Sequence, residues 1–167
     1  MTVYEKFTAL DADFAPISLE RRADEYDYFC RPVCARPIAF EGAIMYCFID
    51  ICGEIVFACN PESCTERFVY PLAKNFDDFI ALVLACGGAN PAEQIVWMSK
   101  SQFEQHLREE REAQTDEQRR PLALLQEELG IVPMDSPFEY VKTLQSEFDY
   151  DKIEFGDEYY DVLGIER

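Results

Sequence analysis

The sequence predicts an α+β fold: a single domain with a mostly antiparallel sheet of about four to six strands, flanked by helices, with an extra C-terminal helical section. Short apolar runs separated by turn residues follow one another between residues 37 and 72. A helical pattern that is apolar nearly all round occupies residues 76–86. Amphipathic helical patterns with capping residues then fill residues 115–150. These three observations indicate a sheet, a buried helix against it, and an outer helical cover.

The first 35 residues mix acidic, basic and aromatic side chains without a clear period. Ser18 and the residues after it could open a helix that runs to about Phe29, because Ala23 and Tyr26 recur at helical spacing. Pro32 would end that helix. We therefore expect one helix before the sheet.

The strands are predicted at residues 38–40, 43–49, 55–59 and 67–72. The run at 43–49 is apolar without alternation, which indicates a strand covered on both faces. Pro71 is expected to close the last strand. The short turns between the runs favour an antiparallel meander.

The helix at 76–86 is the centre of the predicted architecture. Asn75 offers a side-chain oxygen to its free amides, with Asp78 as an acidic, box-like partner, and Gly87 provides a left-handed stop. One face carries apolar residues at i, i+3, i+4 and i+7, namely Phe76, Phe79, Ile80 and Val83. The helix carries no reactive group, which argues against catalysis.

After this helix, residues 94–98 read as a short strand or extended segment that contains Trp97. Ser99 and Gln102 form a capping box for a helix on which His106 lies at the edge of the core. Two further capping boxes are predicted, Thr115 with Gln118 and Ser136 with Glu139. Their helices would supply the second cover that the apolar helix requires.

The run VYPLAKNFDDFIALVLACGG at 69–88 resembles the signature of the SUKH superfamily, the cell-wall-assembly-regulator-like domain that is widespread in bacteria. The matching residues are Tyr70, Pro71, Leu72, Ala73, Phe76, Phe79, Ile80, Val83 and Leu84. The resemblance is strongest over residues 36–107, so the whole chain, 1–167, would be one SUKH-like domain. Helices at 115–150 and an acidic tail at 149–167 would extend it.

Thirty-three acidic residues stand against 15 basic ones. This balance disfavours nucleic acid and anionic membranes as partners, because both are bound through cationic side chains. It permits attraction to a basic protein, while solubility alone also accounts for it.

Seven cysteines form no CxxC pair, no secretory leader precedes them, and His106 is the single histidine. Zinc is therefore not expected, and a reduced, cytoplasmic compartment is the simpler account. No apolar run approaches the ~20 residues of a membrane span. The sequence predicts no cofactor and no metal ligand.

The tail alternates acids with aromatics, and Ile153 and Phe155 could form a terminal edge strand. Two interpretations stay open: a packed tail whose acids face water, or a docking surface for a basic protein. The residues predicted to bind a partner are Asp149, Asp151, Glu154, Asp157, Glu158 and Tyr159.

No GxGxxG, GxxxxGK[ST], GxSxG or HExxH motif is present, and the adjacent Asp77 and Asp78 do not converge on a helix surface. We therefore expect a non-catalytic binding protein with no catalytic residue. The SUKH resemblance implies an immunity-type protein that neutralises a cognate bacterial toxin by stoichiometric occlusion. The alternative that it implies is a regulatory or scaffold module of the glucan-synthesis-regulator type, which would bind an endogenous protein.

Overall fold

Four short strands form one antiparallel meander at the centre of the protein, in the order β1-β2-β3-β4. The computed structural model describes residues 1–167. The strands are Ala35–Glu41 (β1), Ile44–Ile49 (β2), Val56–Cys59 (β3) and Val69–Ala73 (β4). Together with the helices around the sheet, they confirm the predicted α+β class and the antiparallel meander.

Seven α-helices surround the sheet. They are Val3–Ala9 (α1), Phe76–Cys86 (α2), Ala89–Glu93 (α3), Lys100–Glu112 (α4), Asp116–Leu129 (α5), Pro137–Glu147 (α6) and Asp157–Leu163 (α7). No single helix has the length and apolar character needed to cross a membrane; only α2 taken with residues 89–97, bent by 105°, passes such a test as a pair.

Each face of the sheet has its own apolar cluster. On β2, Tyr46 and Phe48 belong to the larger cluster beneath the helices, whereas Met45, Cys47 and Ile49 belong to a smaller one on the far face. Successive strand side chains point to opposite faces, so a strand that is apolar at every position must be covered on both. This confirms the prediction for the second strand.

Helix α2 lies in the larger cluster and follows its predicted limits. The Asn75 side chain accepts the backbone N–H of Asp78 at 2.8 Å, and Gly87 ends the helix with φ 78°. Leu125 of α5 and Val141 of α6 are fully buried in the same cluster. The C-terminal helices therefore supply the second cover of α2, as predicted.

The capping boxes at Ser99 and Thr115 form as predicted. The one at Ser136 does not, because its side chain makes no capping hydrogen bond. Ser99 and Thr115 have extended backbones, with ψ near 165°, whereas ψ at Ser136 is 68°. Pro137 does occupy the first turn of α6, where its missing N–H is not needed.

The predicted helix at 18–29 is wrong. Ser18 has φ 64°, and Glu20 exchanges two backbone hydrogen bonds with Phe40 of β1, at 2.9 and 2.8 Å. Pairing with the sheet edge thus replaces helix formation, and residues 20–34 cross the far face without regular structure. The N-terminal helix is instead α1, a short helix whose capping box joins Thr2 and Glu5.

Three smaller expectations are also corrected. Residues 94–98 are not extended, because α3 continues into a 3₁₀ turn at Gln94–Trp97. Residues 153–155 form no edge strand, since only an isolated bridge joins Pro32 and Phe155. Pro71 lies inside β4 rather than closing it. An edge strand tolerates proline because one side of it needs no N–H donor.

Candidate partner-binding surface

Two segments cover the far face of the sheet, and the predicted site residues lie in one of them. We call residues 20–34 the strap and residues 149–167 the tail. Ile153 of the tail is buried in the far-face cluster, as are Tyr26 and Cys30 of the strap. The Val33 N–H donates to the Glu154 carbonyl at 2.8 Å, so the strap and tail lie side by side.

The five predicted carboxylates are all exposed, namely Asp149, Asp151, Glu154, Asp157 and Glu158. Two of them have local roles: Asp149 accepts the Asp151 N–H at 3.1 Å, and Asp157 pairs with Arg167. The side chains of Asp151, Glu154 and Glu158 form no ion pair. These three remain free to meet an external cation.

Tyr159 is half-buried and does not project into solvent like its acidic neighbours. Its ring stacks on Phe155, with centroids 3.8 Å apart and planes at 8°, and it lies 6.3 Å from Phe29 of the strap. Burial raises the pKa of its hydroxyl. Tyr159 therefore anchors the tail to the strap and is only partly exposed at the surface.

The strap contributes acids and an exposed aromatic that the sequence analysis did not include. Asp24, Glu25 and Asp27 are exposed, and Tyr28 is 44% exposed. The signal was present in the sequence, because DEYDYF at 24–29 resembles DEYYD at 157–161 in the tail. We define the acidic–aromatic surface by eight exposed carboxylates of both segments, the exposed Tyr28 and the half-buried Tyr159: Asp24, Glu25, Asp27, Tyr28, Asp149, Asp151, Glu154, Asp157, Glu158 and Tyr159.

The acidic–aromatic surface is negatively charged, because its cations either contact other side chains or are fewer than its carboxylates. Arg31 makes a bidentate contact with Asp24 at 2.6 and 2.9 Å, and this hydrogen bonding lowers the pKa of the Asp24 carboxyl. Arg67 lies 3.5 Å from the centroid of the Tyr150 ring. The tail holds seven carboxylates against two cations. Salt screens the field of such a surface beyond about one Debye length, ~8 Å at physiological salt.

A buried polar network at one end of the sheet was also missed from the sequence. Glu93 of α3 is only 4% exposed and accepts hydrogen bonds from the Tyr70 hydroxyl and, at 3.1 Å, from Asn60 Nδ2. On the same helix, Asn90 Nδ2 donates to Glu41 Oε1 at 2.6 Å. The two carboxylates therefore tie α3 to β1 and β4.

Burial and neighbouring charge shift the pKa values in this network. Burial raises the pKa of Glu41, and burial followed by the Glu93 charge raises that of Tyr70. The hydroxyl of Tyr46 is buried without a hydrogen-bond partner, as is Glu41 Oε2. None of the five principal clefts is lined by these residues. The arrangement anchors α3, and none of these clefts opens onto it.

No group of three or more histidine, cysteine, aspartate or glutamate side chains is arranged to hold a metal ion. His106 lies at the edge of the core, as predicted: its side chain is 22% exposed, with Nε2 3.8 Å from Glu110. Its Nε2 atom is buried without a hydrogen-bond partner. His106 therefore has a packing position on α4.

Comparison with known proteins adds no relative: no protein-family model, no curated protein and no solved structure matches this chain. The resemblance to the SUKH superfamily therefore depends on the residue pattern of β4 and α2 alone. Those residues lie in β4 and α2, outside the strap and the tail.

Proposed function

We propose that this protein is a non-catalytic binding domain that neutralises a basic bacterial toxin domain by stoichiometric occlusion. The observation that carries the proposal is the acidic–aromatic surface, in which unpaired carboxylates from two distant segments lie on one side of the sheet. The SUKH-like pattern at 69–88 supports the toxin as partner, because many bacterial members of that superfamily resemble immunity proteins.

The unpaired carboxylates would act first, during diffusional encounter. Five carboxylates form no ion pair within the protein: Glu25 and Asp27 of the strap, and Asp151, Glu154 and Glu158 of the tail. Complementary charge of this kind raises association rates more than it raises affinity, and salt screens the effect. A basic toxin face held here would be hidden from its own substrate.

Tyr28 would provide the apolar anchor of the complex. Its ring centroid lies 4.8 Å from that of Tyr26, whose hydroxyl donates to the carbonyls of Ala43 at 2.8 Å and Cys59 at 3.1 Å. An exposed aromatic ring that packs on a hydrogen-bonded neighbour loses less conformational freedom on binding than an isolated one, which is the character of interface hot spots. The neighbouring carboxylates would form the polar rim.

The test compares charge reversal on the surface with the same reversal elsewhere. The variant Glu154→Lys/Glu158→Lys changes two unpaired tail carboxylates, and the control Glu127→Lys/Glu128→Lys changes two exposed carboxylates of α5. Asp149 and Asp157 are left unchanged because they have local partners. Each protein is used as bait for the lysate and secreted fraction of the source cell, at low and high salt.

We expect the wild type and the α5 control to retain one basic toxin domain, with retention weakened by salt. The tail variant should associate with it about tenfold more slowly or worse. Co-expression should then show that the wild type restores growth to cells making that toxin and that Tyr28→Ala restores it poorly. An equal loss of toxin retention in the tail variant and the α5 control would overturn the proposal. Salt-insensitive capture of an endogenous enzyme would favour a regulatory module instead.

A further inference from the structure

Two thiols meet beneath the strap, where it crosses β3. The sulfur atoms of Cys30 in the strap and Cys59 in β3 lie 3.5 Å apart, and both side chains are fully buried. The Cys59 thiol also approaches the Cys30 carbonyl oxygen at 3.4 Å. The two residues are separated by 29 positions in the sequence. All seven cysteines are in the thiol form.

We propose that Cys30 and Cys59 form an oxidative modification site, at which a peroxide converts the two thiols into a disulfide that fastens the strap to the sheet. The inference does not rest on the proposed function, because it concerns only the strap and β3. It would nevertheless fix the segment that carries Tyr28.

The geometry needs only a small movement. A disulfide places its sulfur atoms about 2.0 Å apart, so the observed contact must shorten by roughly 1.5 Å. The Cys59 side of the pair is held in the sheet, where Cys59 is paired with Met45 and Val69. The Cys30 side belongs to an irregular segment that lacks helix and strand hydrogen bonds. The strap can therefore move toward the strand.

The environment makes the two sulfurs unequal. Hydrogen bonding from Cys59 is the largest effect that lowers the pKa of the Cys30 thiol, whereas that same contact and burial raise the pKa of Cys59. A thiolate is the nucleophile in thiol chemistry, so Cys30 reacts first. Cys59 is then the resolving thiol.

The reaction balances with one peroxide. The Cys30 thiolate attacks a peroxide oxygen, the O–O bond breaks, and a sulfenic acid and a hydroxide form; the hydroxide takes the Cys30 proton and becomes water. The Cys59 sulfur then attacks the Cys30 sulfur, the S–O bond breaks, and the released hydroxide takes the Cys59 proton to form a second water. Two thiols are oxidised, and one peroxide is reduced to two waters.

Access to the pair requires the strap to open. Backbone hydrogen bonds hold it at its ends, between Glu20 and Phe40 and between Val33 and Glu154. Between those ends, the strap is attached to the sheet by side chains: the Tyr26 hydroxyl contacts the Ala43 and Cys59 carbonyls, and Arg22 and Arg31 donate to the Gly42 and Ala35 carbonyls. A surface segment with few backbone hydrogen bonds opens at lower free energy than the sheet beneath it. Peroxide can thus reach Cys30 without global unfolding.

The five remaining cysteines make no sulfur hydrogen bond, and one of them, Cys52, is partly exposed. Cys47 and Cys86 are buried without a sulfur hydrogen bond, and burial raises the pKa of each thiol to about 12. Cys34 and Cys64 are exposed. Cys47 lies on the same face of the sheet as the pair and therefore provides a matched control.

The test uses the full chain carrying Cys34→Ser and Cys64→Ser, which removes the two exposed thiols. The protein is treated with hydrogen peroxide, and intact mass, disulfide-linked peptides and thermal unfolding are measured before and after reduction. We expect a loss of about 2 Da, one linked peptide containing Cys30 and Cys59, and a rise in Tm of about 10 °C that reduction reverses. Adding Cys47→Ala should leave all three results unchanged, whereas adding Cys59→Ala should abolish them.

Recovery of Cys30 and Cys59 as unlinked residues, or linkage of either to another cysteine, would overturn the proposal. The peptide map of the protein with Cys30, Cys47 and Cys59 intact gives this answer even if the Cys59 variant folds poorly. A link without a rise in Tm would refute the fastening role. Loss of toxin binding has no bearing on any of these results, so the two proposals fail separately.

Discussion

The phenolic oxygen of Tyr140 on α6 lies 2.6 Å from a carboxylate oxygen of Asp78 on α2. The same oxygen accepts the backbone N–H of Lys74 at 2.8 Å. Burial and the Asp78 carboxylate raise the pKa of Tyr140, which keeps the hydroxyl protonated as a donor. One side chain therefore joins the C-terminal helical section to the connection between β4 and α2.

Replacement of this hydroxyl should destabilise the protein. We expect Tyr140→Phe to lower the free energy of unfolding by about 1 to 2 kcal/mol, because it removes one hydrogen bond to a carboxylate and one from a backbone amide. Denaturant unfolding followed by circular dichroism measures the change. Tyr160→Phe in the tail, whose ring contacts Tyr159, is the control. Equal losses for the two variants would contradict the role of Tyr140.

Two buried tyrosines should respond differently to the same substitution. Tyr70→Phe removes a donor to the buried carboxylate of Glu93 and should cost about 2 kcal/mol. Tyr46→Phe removes a buried hydroxyl that has no partner and should be neutral or stabilising by about 1 kcal/mol. Both are fully buried, so loss of volume does not distinguish them. A similar cost at both positions would show that Tyr46 has a partner in solution.

The helix caps provide a second matched pair. Asn75→Ala should destabilise by about 1 kcal/mol, because the Asp78 amide loses its acceptor at the start of α2. Ser136→Ala should change the free energy of unfolding by less than about 0.5 kcal/mol, since that side chain makes no capping bond. Thermal and denaturant unfolding of both variants test this. A destabilisation by Ser136→Ala comparable to that by Asn75→Ala would show that the Ser136 side chain does cap α6 and would contradict this prediction.

Glu41 should make stability depend on pH. Burial raises its pKa above the ordinary value of 4.5, so the folded protein holds this proton to higher pH than the unfolded chain does. Its contribution to stability is therefore present below about pH 4.5 and is lost as the pH rises through the folded-state pKa. Glu41→Gln keeps an acceptor for Asn90 and removes the ionisation.

The measurement is the difference in unfolding free energy between Glu41→Gln and wild type, at several pH values from 4 to 8. We expect the variant to gain stability relative to wild type as the pH rises. Glu54→Gln, at an exposed position, should show no such trend. If the difference in unfolding free energy between Glu41→Gln and wild type does not change with pH, ionisation of Glu41 does not destabilise the folded protein and the prediction is wrong.

Much of the fold could be predicted because its signals are local. The caps at Asn75, Ser99 and Thr115 and the stop at Gly87 act within one helical turn, so the sequence alone specifies where those helices begin or end. The apolar run of β2 likewise implied a sheet covered on both faces. For the caps, the partner of a backbone group lies within a few residues along the chain; for β2, the signal is the apolar run itself.

The errors fall where a distant partner overrides local preference. The strap has helical spacing, yet Glu20 pairs with β1 and Arg21 donates to the Leu10 and Ala12 carbonyls at 2.6 and 2.8 Å. Residues 94–98 continue from a helix whose carboxylate, Glu93, is held by Tyr70. These partners lie nine or more residues away in the sequence, so the hydrophobic periodicity of either segment could not reveal the contacts.

The candidate surface, too, was predicted in part from the sequence and in part could be seen only in the structure. By itself, the sequence determined the α+β class, the buried helix at its centre and the acidic character of the tail, because periodicity, caps and charge are properties of neighbouring residues. Only the tertiary structure decided that the strap lies beside the tail and that Cys30 meets Cys59. Those contacts depend on which segments cover the far face of the sheet. The burial of apolar surface drives that covering, and because it is non-directional, the local sequence does not specify which segments will meet.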